Sequence, residues 1–296
     1  MGHGHHHHDT ASQRLGLAFG LNVAFTIVEF IGAWATNSTA IAADALHDLG
    51  DSLSLAFAWG MQGLSARRPT RTYTYGFRRL SLLGALVNAL VLLVGGVIVL
   101  TEAIPRLTDP GEPDPKGMLL LAILGVVVNG IAVLRVRSGT SLNERVVTWH
   151  LLEDVLGWVA VLIVSIVMLF VNLPVLDPIL CIAITAWVGF NALRNLKATL
   201  DLFLQAVPDD IDVDALTEVA RSVPGARDLR HVHVWSQEGE NHVLTGELVV
   251  DCESVDQADS IRRAVDHALI DNGIHHSTLQ IVPVARVCED DPTGCP

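Results

Sequence analysis

Six stretches of this chain are apolar almost without interruption, at about 16–36, 39–62, 80–103, 117–135, 148–172 and 176–195. Each is close to the ~20 residues that a helix needs to cross a ~30 Å hydrocarbon layer. Strands that cross a membrane must close into barrels and alternate apolar with polar residues, and these runs are too long and too uniform for that. The pattern predicts six membrane helices. Past Pro208 it changes character. Residues 211–222 carry apolar positions three and four apart, as a half-buried helix does. RHVHVWSQ and HVLTGELVV read as strands joined by Glu-Gly-Glu-Asn, a hairpin signal; 254–271 reads as a second amphipathic helix and HSTLQIVPV as a third strand. The α-β-β-α-β order predicts a small, ferredoxin-like α+β sandwich. The chain thus divides into a His-rich arm over 1–14, a six-helix transmembrane domain over 15–207, an α+β domain over 208–284 and a Cys-containing tail over 285–296.

Charge sharpens the division. Residues 1–200 hold 13 Lys and Arg against 13 Asp and Glu, while 201–296 hold 6 against 19, so the whole net charge of −13 lies in the last third. An acidic domain argues against nucleic acid or an anionic surface as its partner and is compatible with cations. The loop after the second apolar run carries Arg67, Arg68, Arg71, Arg78 and Arg79. The loop after the fourth run carries Arg135, Arg137 and Arg145, and the sixth run ends at Arg194 and Lys197. The alternate loops are short or mixed, so the positive-inside rule places both termini and the acidic domain in the cytoplasm. The His-rich start and the membrane-like array that follows do not read as a cleavable signal peptide, and the spacing of the four cysteines does not suggest a secreted disulfide framework.

The candidate chemistry stands inside the apolar runs. AADALHDLGDSLSL, in the second, places Asp44, His47, Asp48 and Asp51 where lipid-soluble residues are expected. His47 and Asp51 are four apart and share a helix face with Asp44; Asp48 lies about 100° away around the helix. WHLLEDVLGW, in the fifth, repeats the spacing with His150 and Asp154. Two imidazoles and two carboxylates make a full tetrahedral set for zinc. An ionised Asp at the bilayer centre costs about +2.5 to +3.5 kcal/mol on insertion scales, which a bound divalent cation offsets. Metal binding requires deprotonated ligands, so the same groups can hold protons or metal in turn. If the helix ends are flush, however, the two pairs miss each other in depth by roughly 15 Å. Glu153 reads as a solvated group beside Asp154, and Asn22, Glu29 and Asn88 as intramembrane polar residues that line a path or brace helices.

At these residues the chain resembles the cation diffusion facilitator family, in its zinc-transporter branch. The matching segments are NSTAIAADALHDLGDSLSL, YGFRRLSLLGALVNALVLL, VVNG, HLLEDVLGWVAV, HVHVWS and GIHHSTLQI, spread over residues 12–284. The resemblance implies a homodimer in the lipid bilayer, six helices per protomer and a metallochaperone-like cytoplasmic domain. It also implies metal-for-proton exchange, with zinc as transported substrate, cadmium and cobalt as alternatives, and His47, Asp51, His150 and Asp154 as the transport site. It departs at Phe77, where some members place a His for a further metal site, and no such site is expected here.

In the tail, the resemblance implies a ligand position at His275 and at Glu247, where relatives often have a His; His231 and His233 alternate onto one face of a strand and read equally as ligands or as ordinary strand residues. Cys288 and Cys295 are seven apart, a weak ligand pattern. MGHGHHHH reads as a native metal-capturing arm, the alternative being an affinity tag. No Gly-rich Lys loop is present, so no nucleotide is expected to drive the cycle. A membrane metallohydrolase would need an open metal position and an HExxH-like signature, so the chain is not expected to be an enzyme. A receptor that senses metal without transporting it is the other rival.

Overall fold

A computed structural model describes residues 6–65, 69–136, 142–284 and 286, with the backbone alone over helix ends such as 6–15 and 142–151. Arg67, Arg68, Arg137, Cys288 and Cys295 lie outside the described residues, as do the side chains of Arg135, Arg145 and His150. The described residues divide into two units, one drawn from 6–65 and 83–196 and the other from 69–82 and 197–286.

Six long helices follow the six apolar runs: α1 (His6–Thr36), α2 (Thr39–Ser65), α3 (Leu80–Ala103), α4 (Pro115–Val136), α5 (Leu142–Phe170) and α6 (Leu176–Phe203). Among the described residues, five of them are long and apolar enough to cross a membrane. The exception is α2, whose 27 residues have the length but carry Asp44, His47, Asp48 and Asp51. α1 starts inside the His run rather than near residue 16, and α6 runs eight residues past its expected end. The apolar boundary marks where a span ends, whereas a helix continues for as long as its polar residues tolerate helical geometry. On α6 that continuation holds an i,i+4 ion pair, Lys197–Asp201, at 2.6 Å.

Helices α1, α2, α4 and α5 pack on one another. Trp158 of α5 is buried between α1 and α4: its ring meets Phe25 edge-on at 6.0 Å. A Cβ at Gly125 would fall 2.1 Å from its indole, so only glycine lets α4 approach there. α3 and α6 join through small side chains, Ala40 and Ala43 of α2 meeting Ala103 and Cys181. Val94, Val97, Ile98, Trp187 and Phe190 stay exposed on the outer faces of α3 and α6, as a lipid solvent requires.

The second unit has the expected order: α7 (Val213–Arg221), β1 (Ala226–Ser236), β2 (His242–Val250), α8 (Val255–Asp271) and β3 (Ile274–Pro283). Asp212 caps α7 by accepting from the amides of Asp214 and Ala215, and Ser254 caps α8 through Gln257. The sheet has three strands in the order β1-β2-β3. β1 and β2 form the antiparallel hairpin; β3 returns through α8 to lie parallel to β2. This is a ferredoxin-like β-α-β-β-α-β unit without its first strand. Leu216 and Ala220 of α7, Leu244 and Leu248 of β2, and Val265 and Leu269 of α8 share one core.

Candidate metal site

The N-terminus of α2 is fixed before its polar residues begin. Asn37 turns the chain out of α1 with a positive φ of 52°, a conformation that Asn tolerates better than most residues. Ser38 then caps α2, its Oγ accepting from the Ile41 amide at 3.2 Å. A second cap comes from another helix. The Asp177 carboxylate, in the first turn of α6, accepts from Ser38 Oγ (2.5 Å), Thr39 N (2.7 Å), Thr39 Oγ1 (2.8 Å) and Ala40 N (3.2 Å). Four donors of the α2 N-terminus therefore converge on one buried anion, and its charge also suits the positive end of the helix dipole.

Two turns further on, His47 and Asp51 meet Asp154 of α5. His47 Nε2 lies 3.9 Å from Asp51 Oδ2 and 3.6 Å from Asp154 Oδ1. One donor atom from each residue falls within 4.8 Å of the other two. These separations are longer than hydrogen bonds. They approach the ~3.3 Å edge of a tetrahedron with metal–ligand bonds of about 2.0–2.1 Å. Among the described residues this is the one group of three potential ligands that comes together. His150 stands one helical turn before Asp154 on α5.

The depth mismatch expected from flush helix ends does not occur. His47 is eight residues from the start of α2 and Asp154 sixteen from the end of α5, which would leave about 12 Å between them. The contact at 3.6 Å means that the two helix ends are not level. Close approach of α2 and α5 also depends on Gly157, because a Cβ there would come within 3.1 Å of Asp44 Oδ1.

A layer of further acids lies behind the trio. Asp44, Asp48 and Glu29 are all buried, Glu29 to 1% exposure. Neither oxygen of Glu29 and not Oδ2 of Asp44 finds a hydrogen bond among the described residues. Asn22 acts as a brace between α1 and α2, donating to the Asp48 carbonyl at 3.2 Å and to Ser52 Oγ at 3.0 Å. Glu153 is exposed and, with His47, Asp51, Ser54 and Asn88, lines a cavity of about 470 Å³. The cavity is bounded by the middle of α2 and α3, the earlier part of α5 and the later part of α6.

In the soluble unit the expected residues do not converge. His231 sits at a β-bulge with φ 48°, where Arg230 pairs with Glu247 but His233 with Thr245. The extra residue breaks the strict alternation that was to place His231 and His233 on one face. His231 Nε2 comes within 3.9 Å of Glu247 Oε2, with its side chain 76% exposed. His275 instead accepts a hydrogen bond at Nδ1 from the backbone of the buried His242. Asp177 and His242 were not among the sequence candidates.

Comparison with known proteins settles the family. The cation efflux transmembrane domain matches residues 15–204 and the cation efflux protein cytoplasmic domain residues 208–284. The chain belongs to the cation efflux family. Among its cation efflux relatives is the zinc transporter ZitB of Escherichia coli (strain K12), 33% identical over 95% of this chain and 92% of ZitB. The cadmium, cobalt and zinc/H(+)-K(+) antiporter of Bacillus subtilis (strain 168) is 29% identical over 94% and 91%. The metal cation efflux system protein CzcD of Cupriavidus metallidurans is 31% identical over 84% and 80%. Like other members of the cation efflux family, the protein is a multi-pass membrane protein.

Proposed function

We propose that this protein exports zinc, or a similar divalent transition metal such as cadmium or cobalt, in exchange for protons. One observation carries the reading: His47, Asp51 and Asp154 present three donor atoms within 4.8 Å of one another on membrane helices. His150 is the fourth ligand in this proposal, one turn from Asp154. Metal enters from the cytoplasm through the cavity beside Glu153 and Asn88, and both termini and the soluble domain share that side. Binding releases protons from the ligands, since imidazole and carboxylate coordinate only when deprotonated. Higher proton activity on the other side reverses the exchange and frees the metal. No covalent chemistry is involved, and the protein acts as a homodimer rather than as an enzyme. The relatives named above as zinc transporter and as cadmium, cobalt and zinc antiporter support the choice of metal. His231, His233, Glu247 and His275 take no part in this site.

The test is flux into liposomes that contain a zinc-sensitive dye, under an imposed pH gradient. Wild type is expected to move zinc as the gradient dictates, and Asp51→Ala and Asp154→Ala to lose it by at least about 100-fold, the scale of a lost metal ligand. Flux that survives both substitutions would make the pairs structural braces.

A further inference from the structure

The loop between α2 and α3 is held over residues 69–79 by its own hydrogen bonds. Thr70 and Tyr73 bond each other, the Thr70 amide to the Tyr73 carbonyl at 3.0 Å and the Tyr73 amide to Thr70 Oγ1 at 3.0 Å. The Gly76 amide donates back to the Tyr73 carbonyl, and Gly76 takes a φ of 80° that turns the chain. Phe77 packs on Tyr73 with ring centroids 4.8 Å apart, and Tyr75 meets His276 of β3 edge-on. This loop, Gln205 and the end of β1 enclose a cavity of about 390 Å³ lined by Tyr73, Tyr75, Arg78, Arg79, Trp235 and Gln237 among others. That volume suits a small-molecule headgroup.

The lining carries two arginines and no acid. Glu238 neutralises Arg78 across 3.3 Å. Arg79 is half-buried and makes no ion pair among the described residues. A half-buried guanidinium without a counter-ion fits an anion that offers its planar fork a pair of oxygens, as phosphate does. The place of the cavity in the chain names the source of that phosphate. Arg79 immediately precedes the membrane span that starts at Leu80, and Gln205 follows by two residues the end of α6, the last membrane helix, at Phe203. Tyr and Trp walls are also what the membrane–water boundary selects.

We propose that this cavity binds the headgroup of an anionic phospholipid from the leaflet that faces the soluble domain. Arg79 holds the phosphate, and Tyr73, Tyr75 and Trp235 flank the glycerol region. The loop that leads from the site-bearing α2 into α3 is thereby tied to the lipid.

The full chain, purified and exposed to equal phosphatidylglycerol and phosphatidylcholine, is analysed by native mass spectrometry. Wild type is expected to retain the anionic lipid preferentially, and Arg79→Gln to lower that preference about fivefold, the equivalent of one juxtamembrane charge. Arg79→Lys should keep most of it. Arg71→Gln, on the same loop but outside the cavity lining, should change it less than about twofold. An undiminished preference in Arg79→Gln would overturn the proposal. Equal losses in Arg71→Gln and Arg79→Gln would replace the pocket by diffuse surface charge and overturn it as well. Displacement of the lipid by millimolar inorganic phosphate would point to a soluble anion instead. The readout is lipid retention, so its failure is distinct from a failure of metal flux.

Discussion

The two units of the molecule treat their carboxylates in opposite ways. In the soluble unit almost every partly buried acid has a lysine or arginine partner. Asp228 accepts from Arg221 and Arg230 at 2.8 Å each; Asp259 and Asp266 share Arg262, and Asp251 pairs with Arg227 at 2.6 Å. In the membrane helices no Lys or Arg among the described residues pairs with Glu29, Asp44, Asp48 or Asp154, although burial there is deeper. Burying an anion without a counter-charge costs several kcal/mol. A fold that supplies arginines to its surface acids and withholds them from its core acids leaves the positive charge to be brought from outside. Under the proposed function that charge is the transported metal, and the missing counter-charge, rather than the mere frequency of His and Asp, supports its assignment to these helices.

Supplying the missing cation should break that difference most severely. Asn88 lines the cavity beside His47 and Asp51, and Asn88→Lys would place a resident ammonium there. Metal flux should fall about 100-fold with no loss of thermal stability, because a charge that competes with the metal also relieves the acids. A stable protein with normal flux would refute the idea that the core acids await an external cation.

Next in size is Asp177→Ala, which strips four hydrogen bonds from the start of α2. It should cost about 3–5 kcal/mol in stability, since a buried charged partner is removed from groups that cannot reach water. Asp177→Asn, which keeps two acceptor lone pairs, should fall between. Thermal unfolding in detergent gives the order, and equal melting of all three proteins would remove the cap from the account.

Much of this was legible beforehand. A charged residue inside an apolar run has no other reading than chemistry or a brace, so His47, Asp51, His150 and Asp154 stood out from their spacing alone. Asp177 did not, because an Asp-Pro pair at the start of an apolar run looks like any boundary residue and its partners lie 137–139 residues away. The relative depth of His47 and Asp154 was left open for a related reason: hydropathy gives the length of a helix but not its offset from a neighbour. The bulge at His231 left no mark either, since HVHVW alternates perfectly as written. The parallel placement of β3 follows from the crossover through α8, which the element order contained but did not compel.

A smaller effect tests the packing that brings α2 to α5. Gly157→Ala should reduce flux severalfold, because its methyl would press on Asp44 at 3.1 Å. Gly189→Ala, with open space around it, should leave flux unchanged within about twofold and gain slightly in helix stability. Similar losses in both would mean that helix flexibility, not the α2–α5 contact, is what matters.

The smallest effect belongs to the soluble unit. Partial burial pushes the Asp228 carboxyl up, but the hydrogen bonds from Arg230 and Arg221 outweigh it and hold the carboxyl below its ordinary 3.8. A depressed value stabilises the fold above the unfolded pKa, and that stabilisation is lost as pH falls through the folded one. Asp228→Asn should therefore melt earlier than wild type at pH 7, by about 1–2 kcal/mol, and the gap should narrow below pH 4. A gap that widened on acidification would reverse the sign.

The Asp177 cap has a mechanical consequence. It clasps the first turns of α2 and α6 together, while further along the cavity lies between His47, Asp51 and Ser54 of α2 and Val188, Asn191 and Asn195 of α6. The pair is built like tongs: riveted at one tip and parted partway along, where His47 and Asp51 stand on one arm. Such a tool can widen or close its free end without disturbing the rivet. To present its load at the riveted tip, it must swing as one body against α5 or let the rivet go.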